Sequence, residues 1–119
     1  MVSKYLNEEL PAWALRLLDE ALQTNPARMS VISRIELLVY KPLLYSREQG
    51  IQQFVSESDV FDLTEPIIQQ TVRLRRHYKN VKLPDAVIAA TAIINGFTLL
   101  STNDRDFERV QELAYQSLN

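Results

Sequence analysis

Glu36, Asp85 and Asp104 are the residues whose type and setting best suit chemistry. Each is a carboxylate beside an apolar run. Glu36 follows Met29–Ile32 and sits among Ile35, Leu37 and Leu38. Asp85 comes directly after Pro84, ahead of a long aliphatic stretch. Asp104 follows the apolar run Phe97–Leu100, with Asn103 and Asp106 flanking it. An acid among apolar neighbours is costly unless it is paired or metal-bound. Several acids on one rim repel one another, and a hard divalent cation such as Mg²⁺ or Mn²⁺ relieves that repulsion through oxygen ligands. Such an ion acidifies a bound water and so supplies a nucleophile for phosphodiester hydrolysis. Singly, each acid also has a plain reading: Asp85 caps its own helix, and Glu36 is an ordinary exposed acid.

For these acids to meet, strand ends and helix starts must share a rim, as they do in parallel α/β folds. The segment Leu83–Phe107 has the required order. Pro84 suits the first helical position, where its missing N–H costs nothing. Asp85 then lies at the positive end of the helix and stays ionised. The residues after it are small or aliphatic on nearly every side, which predicts a buried helix, and Gly96 suits the left-handed residue that ends one. Phe97–Leu100 reads as an interior strand. Upstream, the periodicity predicts a strand at Met1–Leu6, a helix from Pro11 to Leu22 and a strand over Arg28–Ser33. Ser33 is expected to cap the next helix, which puts Glu36 in its first turn. Further helices are expected from Ser46 and from Thr64-Glu65-Pro66 to about Tyr78, with a strand at Asp59–Leu63 between them. A helical turn over Phe107–Leu113 and an edge strand at Ala114–Leu118 close the chain. Strands and helices in alternation predict a parallel sheet covered on both faces.

Composition narrows the function classes. A length of 119 residues suits a single domain, 1–119, and 46% hydrophobic residues are enough for a real core. With no cysteine, disulfides, zinc–thiolate sites and thiol catalysis are excluded. This fits a reducing cytoplasm. Two glycines leave little room for a glycine-rich phosphate loop, and a net charge of -2 argues against a surface coated for nucleic acid. No signal-peptide run or membrane-length apolar window is present, so no membrane association is expected.

Leu83-Pro84-Asp85-Ala86-Val87-Ile88-Ala89-Ala90-Thr91-Ala92, followed by Gly96-Phe97-Thr98-Leu99-Leu100-Ser101-Thr102-Asn103-Asp104-Arg105-Asp106-Phe107, resembles the C-terminal half of a PIN domain of the VapC toxin type. Ser30-Val31-Ile32-Ser33-Arg34-Ile35-Glu36-Leu37 resembles that family's second motif. The motifs are short but fall in the right order and separation, and the likeness runs from about residue 12 to the end. It implies a three-layer α/β sandwich with a central parallel sheet, and a metal-dependent endoribonuclease. Glu36, Asp85 and Asp104 are then ligands of Mg²⁺ or Mn²⁺, or groups that position the base. Asn103 and Asp106 rank second: the first contacts a metal water, the second orders the loop. RNA is the implied substrate, and a small antitoxin and a second copy of the chain are the implied partners. The pattern departs from the family in one place. The strand-end Asp that opens the family, and much of the first helix, are absent between Leu6 and Asn7–Pro11, which resembles the far end of that helix, so the N-terminal portion is incomplete. Glu8 or Glu9 is the only stand-in within that stretch. Two readings follow from the departure, an active ribonuclease and a PIN-like module that binds a partner or RNA without catalysis. An unrelated α/β domain with structural acids is a third.

Arg73, Arg75, Arg76, His77, Lys79 and Lys82 form the basic cluster, directly before Asp85. They either hold an RNA backbone or complement a helix C-terminus. His77 reads as a surface residue. Ser101 and Thr102 either reach a phosphate or metal water, or cap the next turn. Trp13 reads as core or dimer face.

Overall fold

The computed structural model describes residues 27–39, 41 and 44–119. The expected first strand and first helix, Trp13, the absent acidic motif and its stand-ins Glu8 and Glu9 lie outside the described residues. The elements run β1 (Arg28–Ser30), α1 (Val31–Val39), α2 (Tyr45–Ser56), β2 (Asp59–Phe61), α3 (Glu65–His77), α4 (Leu83–Asn95), β3 (Leu99–Ser101), α5 (Asp104–Phe107) and β4 (Tyr115–Ser117). One or two helices separate successive strands, and among the described residues the strands pair as two two-stranded sheets. The chain packs as two compact units, one ending at Val60 and one spanning Phe61–Leu118.

In the first unit β1 neighbours β2 in a two-stranded sheet, and the Asp59 N–H donates to the Ala27 carbonyl at 2.7 Å. Met29, Leu37, Ile51 and Val55 form a small core, with Phe54 and Val60 packed against it. The cap of α1 is Ser30 and not Ser33: the Ser33 N–H donates to Ser30 Oγ at 3.2 Å. The strand therefore ends earlier than its apolar pattern suggests, because Val31 and Ile32 serve the helix as readily as a strand. The correction carries Glu36 out of the first turn, which holds no acid.

The second unit is built on α3 packed against α4. On α3 the buried residues are Ile67, Gln70, Thr71 and Leu74, a single stripe at helical spacing. Thr64 is its N-cap residue and Pro66 falls in its first turn. On α4 Ala86 to Ala92 are all buried. Small side chains at Ala86, Ala89 and Ala90 let the backbone of α4 lie close to its neighbours. The polar groups carried inside are satisfied locally. Thr71 and Thr91 hydroxyls donate to the carbonyls of Ile67 and Val87, each at 2.7 Å. Arg73 Nη1 donates to Gln70 Oε1 at 2.7 Å. Gly96 closes α4 at φ 68°, in the left-handed region. Phe97 then meets Phe61 edge to face at 5.2 Å.

β3 pairs with β4 in parallel, Leu99 opposite Tyr115 and Ser101 opposite Ser117. The expected last strand is present. The helical turn falls at Asp104–Phe107, ahead of the expected Phe107–Leu113. The reason is packing: Phe107 is 1% exposed and must reach the core, where its ring lies 5.9 Å from that of Tyr115. Removing a ring buried to that extent costs about 3–5 kcal/mol.

Candidate active site

Asp85 stands in the first turn of α4, directly after Pro84. Pro84 is preset for helical φ and has no N–H to leave unpaired, so the chain turns sharply into the helix there. The Asp85 carboxyl is half-buried. A side-chain hydrogen bond from Asp85 is among the influences that lower the Asp106 pKa. Two carboxyl groups that interact in this way share a proton, or a cation lies against them.

Asp106 is brought there by the loop after β3. The buried Ser101 Oγ accepts the Asn103 N–H at 2.9 Å, which turns the backbone sharply. Of the two roles open to Ser101, the structure has the turn-forming one. Asn103 Nδ2 donates to Asp106 Oδ2 at 2.9 Å. Arg109 Nη2 lies 3.4 Å from Asp106 Oδ1. The Asn103 hydrogen bond is the chief influence holding Asp106 below the usual carboxylate range; burial opposes it, and Asp85 and Arg109 add to it. A group so held is an anion at neutral pH.

Asp104 is held differently. Its Oδ2 accepts the Ser117 hydroxyl at 2.8 Å, and its Oδ1 lies against the Tyr115 hydroxyl. That hydroxyl is also 2.9 Å from the Ser101 carbonyl. It has one proton, so it donates to one of these oxygens at a time. Burial first, and the Asp104 carboxylate second, push the Tyr115 phenol well above its ordinary value. Asp104 thus fastens the loop to β4, while Asp106 faces Asp85.

Glu36 belongs to the first unit and lies exposed in the middle of α1. Its apolar neighbours do not bury it: Ile35 is 52% exposed and Leu38 45%. Within the described part of the second unit, no three Asp, Glu or His side chains form a group able to hold a metal ion. A pair of carboxylates is nonetheless a workable Mg²⁺ site, because that ion keeps several waters and takes only one or two carboxylates. Asp85 and Asp106 offer carboxylate oxygens and Asn103 an amide oxygen, donors that would suit a hard cation and not a soft one.

Sequence reasoning missed Tyr115, Ser117 and Arg109. The register gives the signal for the first two. Tyr115 and Ser117 are two residues apart, so they project from one side of β4, and Ser117 sits opposite Ser101, where the acidic loop begins. His77 lies on the surface, its ring 4.6 Å from that of Tyr78.

Residues 2–113 match the family model for the PIN domain. The chain belongs to the PIN domain family. A chain of a toxin–antitoxin complex from Klebsiella pneumoniae is 31% identical to this PIN protein; the match covers 82% of each chain, with a TM-score of 0.65. A chain of VapBC2 from Rickettsia felis, bound to a DNA fragment from its promoter, is 22% identical over 99% of this chain and 93% of that one, with a TM-score of 0.79. A chain of DNA-bound VapBC from Salmonella typhimurium is 24% identical over 99% and 92%, with a TM-score of 0.74. The last two likenesses are of fold, and they establish this PIN protein as a PIN-like α/β fold. No curated relative matches the chain. Among the described residues, no helix is long and apolar enough to cross a membrane.

Proposed function

We propose that this PIN protein is a metal-dependent endoribonuclease, the toxin half of a toxin–antitoxin pair. The observation that carries the reading is the acidic loop after β3, where Asn103 Nδ2 donates to Asp106 Oδ2 at 2.9 Å and a hydrogen bond from Asp85 adds to holding Asp106 ionised. An anion so held beside a second carboxyl suits a hard cation. Family membership and the 31% identical chain from a toxin–antitoxin complex support it. In this reading Asp85 and Asp106 hold Mg²⁺ or Mn²⁺, with Glu36 and Asp104 completing or supporting the acid set as the family resemblance implies. The metal supplies an acidified water and neutralises charge on the phosphate. Asn103 keeps Asp106 ionised, and Arg109 steadies it from the other side. Tyr115 and Ser117 fix Asp104, and with it the bend of the loop. A small antitoxin protein and a second copy of the chain are the proposed partners, in a reducing cytoplasm.

The test is cleavage of a single-stranded RNA with Mn²⁺, with a chelator, and with the Asp85→Asn variant. Chelation and Asp85→Asn each lower the rate by at least about 100-fold, while the circular dichroism spectrum is unchanged. Mn²⁺ also raises the melting temperature of the wild type, because a ligand that binds only the folded state stabilises it, and the rise disappears in Asp106→Asn. Cleavage that survives both chelation and Asp85→Asn refutes the assignment.

A second reading is a PIN-like module that binds a partner or RNA without catalysis. The exposure of Glu36 in mid-helix favours it. It predicts partner binding with no metal-dependent hydrolysis.

A further inference from the structure

We propose that the face of α3 bearing Arg73, Arg76 and His77 is a docking strip for an RNA backbone. The proposal rests on the ribonuclease reading above and names where the substrate is held. Gln69, Val72, Arg73, Arg76 and His77 line one open hollow of about 420 Å³. Positions 69, 73 and 76 fall at i, i+4 and i+7, so they share one face of the helix.

The cations of α3 divide by what they touch. Arg75 Nη1 donates to the Val81 carbonyl at 2.8 Å and ties the helix end to the following turn. Its role is structural. Arg73 is steadied by its bond to Gln70, which leaves the rest of the guanidinium free to present its fork outward. Among the described residues the ion pair formed by an arginine is that of Arg109 with Asp106, so neither Arg73 nor Arg76 is neutralised by a carboxylate there. Complementing the helix dipole accounts for Arg76 and His77 but not for Arg73. That effect fades within the last turn, and Arg73 lies before the last turn, whose basic residues are Arg75, Arg76 and His77.

The occupant follows from charge and position. Among the described lining residues, two guanidiniums and an imidazole suit phosphates. α3 and α4 pack together and are joined by a five-residue connection, 78–82. The basic end of α3 is therefore the end from which the chain enters α4 at Asp85.

The experiment is fluorescence anisotropy of a labelled single-stranded RNA bound to the full chain in chelator, which prevents cleavage, across a salt series. Each phosphate contact on single-stranded RNA contributes about 0.7 to the slope of log affinity against log salt. Arg76→Gln lowers the slope by about 0.7, and Arg73→Gln with Arg76→Gln by about 1.4, with affinity falling about fivefold per contact at 0.1 M salt. Lys41→Gln, an exposed charge in the other unit, leaves the slope near the wild-type value. Wild-type RNA binding with unchanged slopes in the arginine variants overturns the strip and leaves the ribonuclease reading standing. An equal fall in Lys41→Gln makes the attraction diffuse and also overturns it. No RNA binding by the wild type sinks the ribonuclease reading along with the strip. Tighter binding of an acidic peptide than of RNA, lost in Arg76→Gln, assigns the hollow to a protein and overturns the proposal.

Discussion

Burial and the neighbouring Asp104 carboxylate both keep the proton on Tyr115. Of the five tyrosines, it is expected to remain un-ionised when exposed phenols have titrated, read as an absorbance step at 295 nm that appears only on unfolding. The sign for stability follows. A phenol whose folded pKa lies above its unfolded value, about 10, contributes in full below pH 10 and loses its contribution as pH rises toward the folded value. Tyr115→Phe abolishes that alkaline dependence and costs about 1.5–3 kcal/mol at neutral pH, the usual worth of a hydrogen bond to a charged group. Asp106 works in the opposite sense, because its folded pKa is depressed. Its contribution is present above the unfolded carboxylate value, about 3.9, and is lost as pH falls through the lower folded value. Asn103→Ala removes the largest influence, so carboxyl NMR shows Asp106 titrating higher and acid unfolding begins at higher pH. An Asp106 titration unchanged in Asn103→Ala contradicts the geometry.

Among the elements, α4 was the most legible from sequence. Proline at its start and glycine after its end bracket a run of small apolar residues, and no strand pattern competes. Gly96→Ala isolates the backbone cost of the left-handed position, since a Cβ there meets nothing within 4 Å. Urea unfolding is expected to give a loss of about 1–2 kcal/mol, and a larger loss means a contact the open surroundings do not contain. Boundaries were less legible where apolar residues suit either state. Val31 and Ile32 read as strand by composition, yet Ser30 caps a helix that contains both. The candidate site was legible in its residue types and not in their pairing. Asp104 and Asp106 are two apart on a single turn, and which of them turns toward α4 depends on β4, whose hydroxyls are contributed from Tyr115 and Ser117. A pairing between distant segments has no local signature.

At the scale of the molecule, the acids implied by family resemblance are divided between the two compact units: Glu36 in the first, Asp85, Asp104 and Asp106 in the second. Hydrogen exchange with and without Mn²⁺ tests whether one ion draws on both. If Glu36 is a ligand, amides of α1 slow together with those at the start of α4 and in the loop after β3. Protection confined to the second unit removes Glu36 from the metal set. The family match extends across both units, over residues 2–113, which is why the fold as a whole was recognisable from short motifs while its inner division was not.

The parallel pairing of β3 with β4 also sets an order in time. On the ribosome, Asp85, Asp104 and Asp106 are all translated before Tyr115 and Ser117 exist to grip Asp104. A nascent chain that has reached the acidic loop carries its carboxylates without the fastening that shapes them, so the loop takes its final form only after Ser117 has been added.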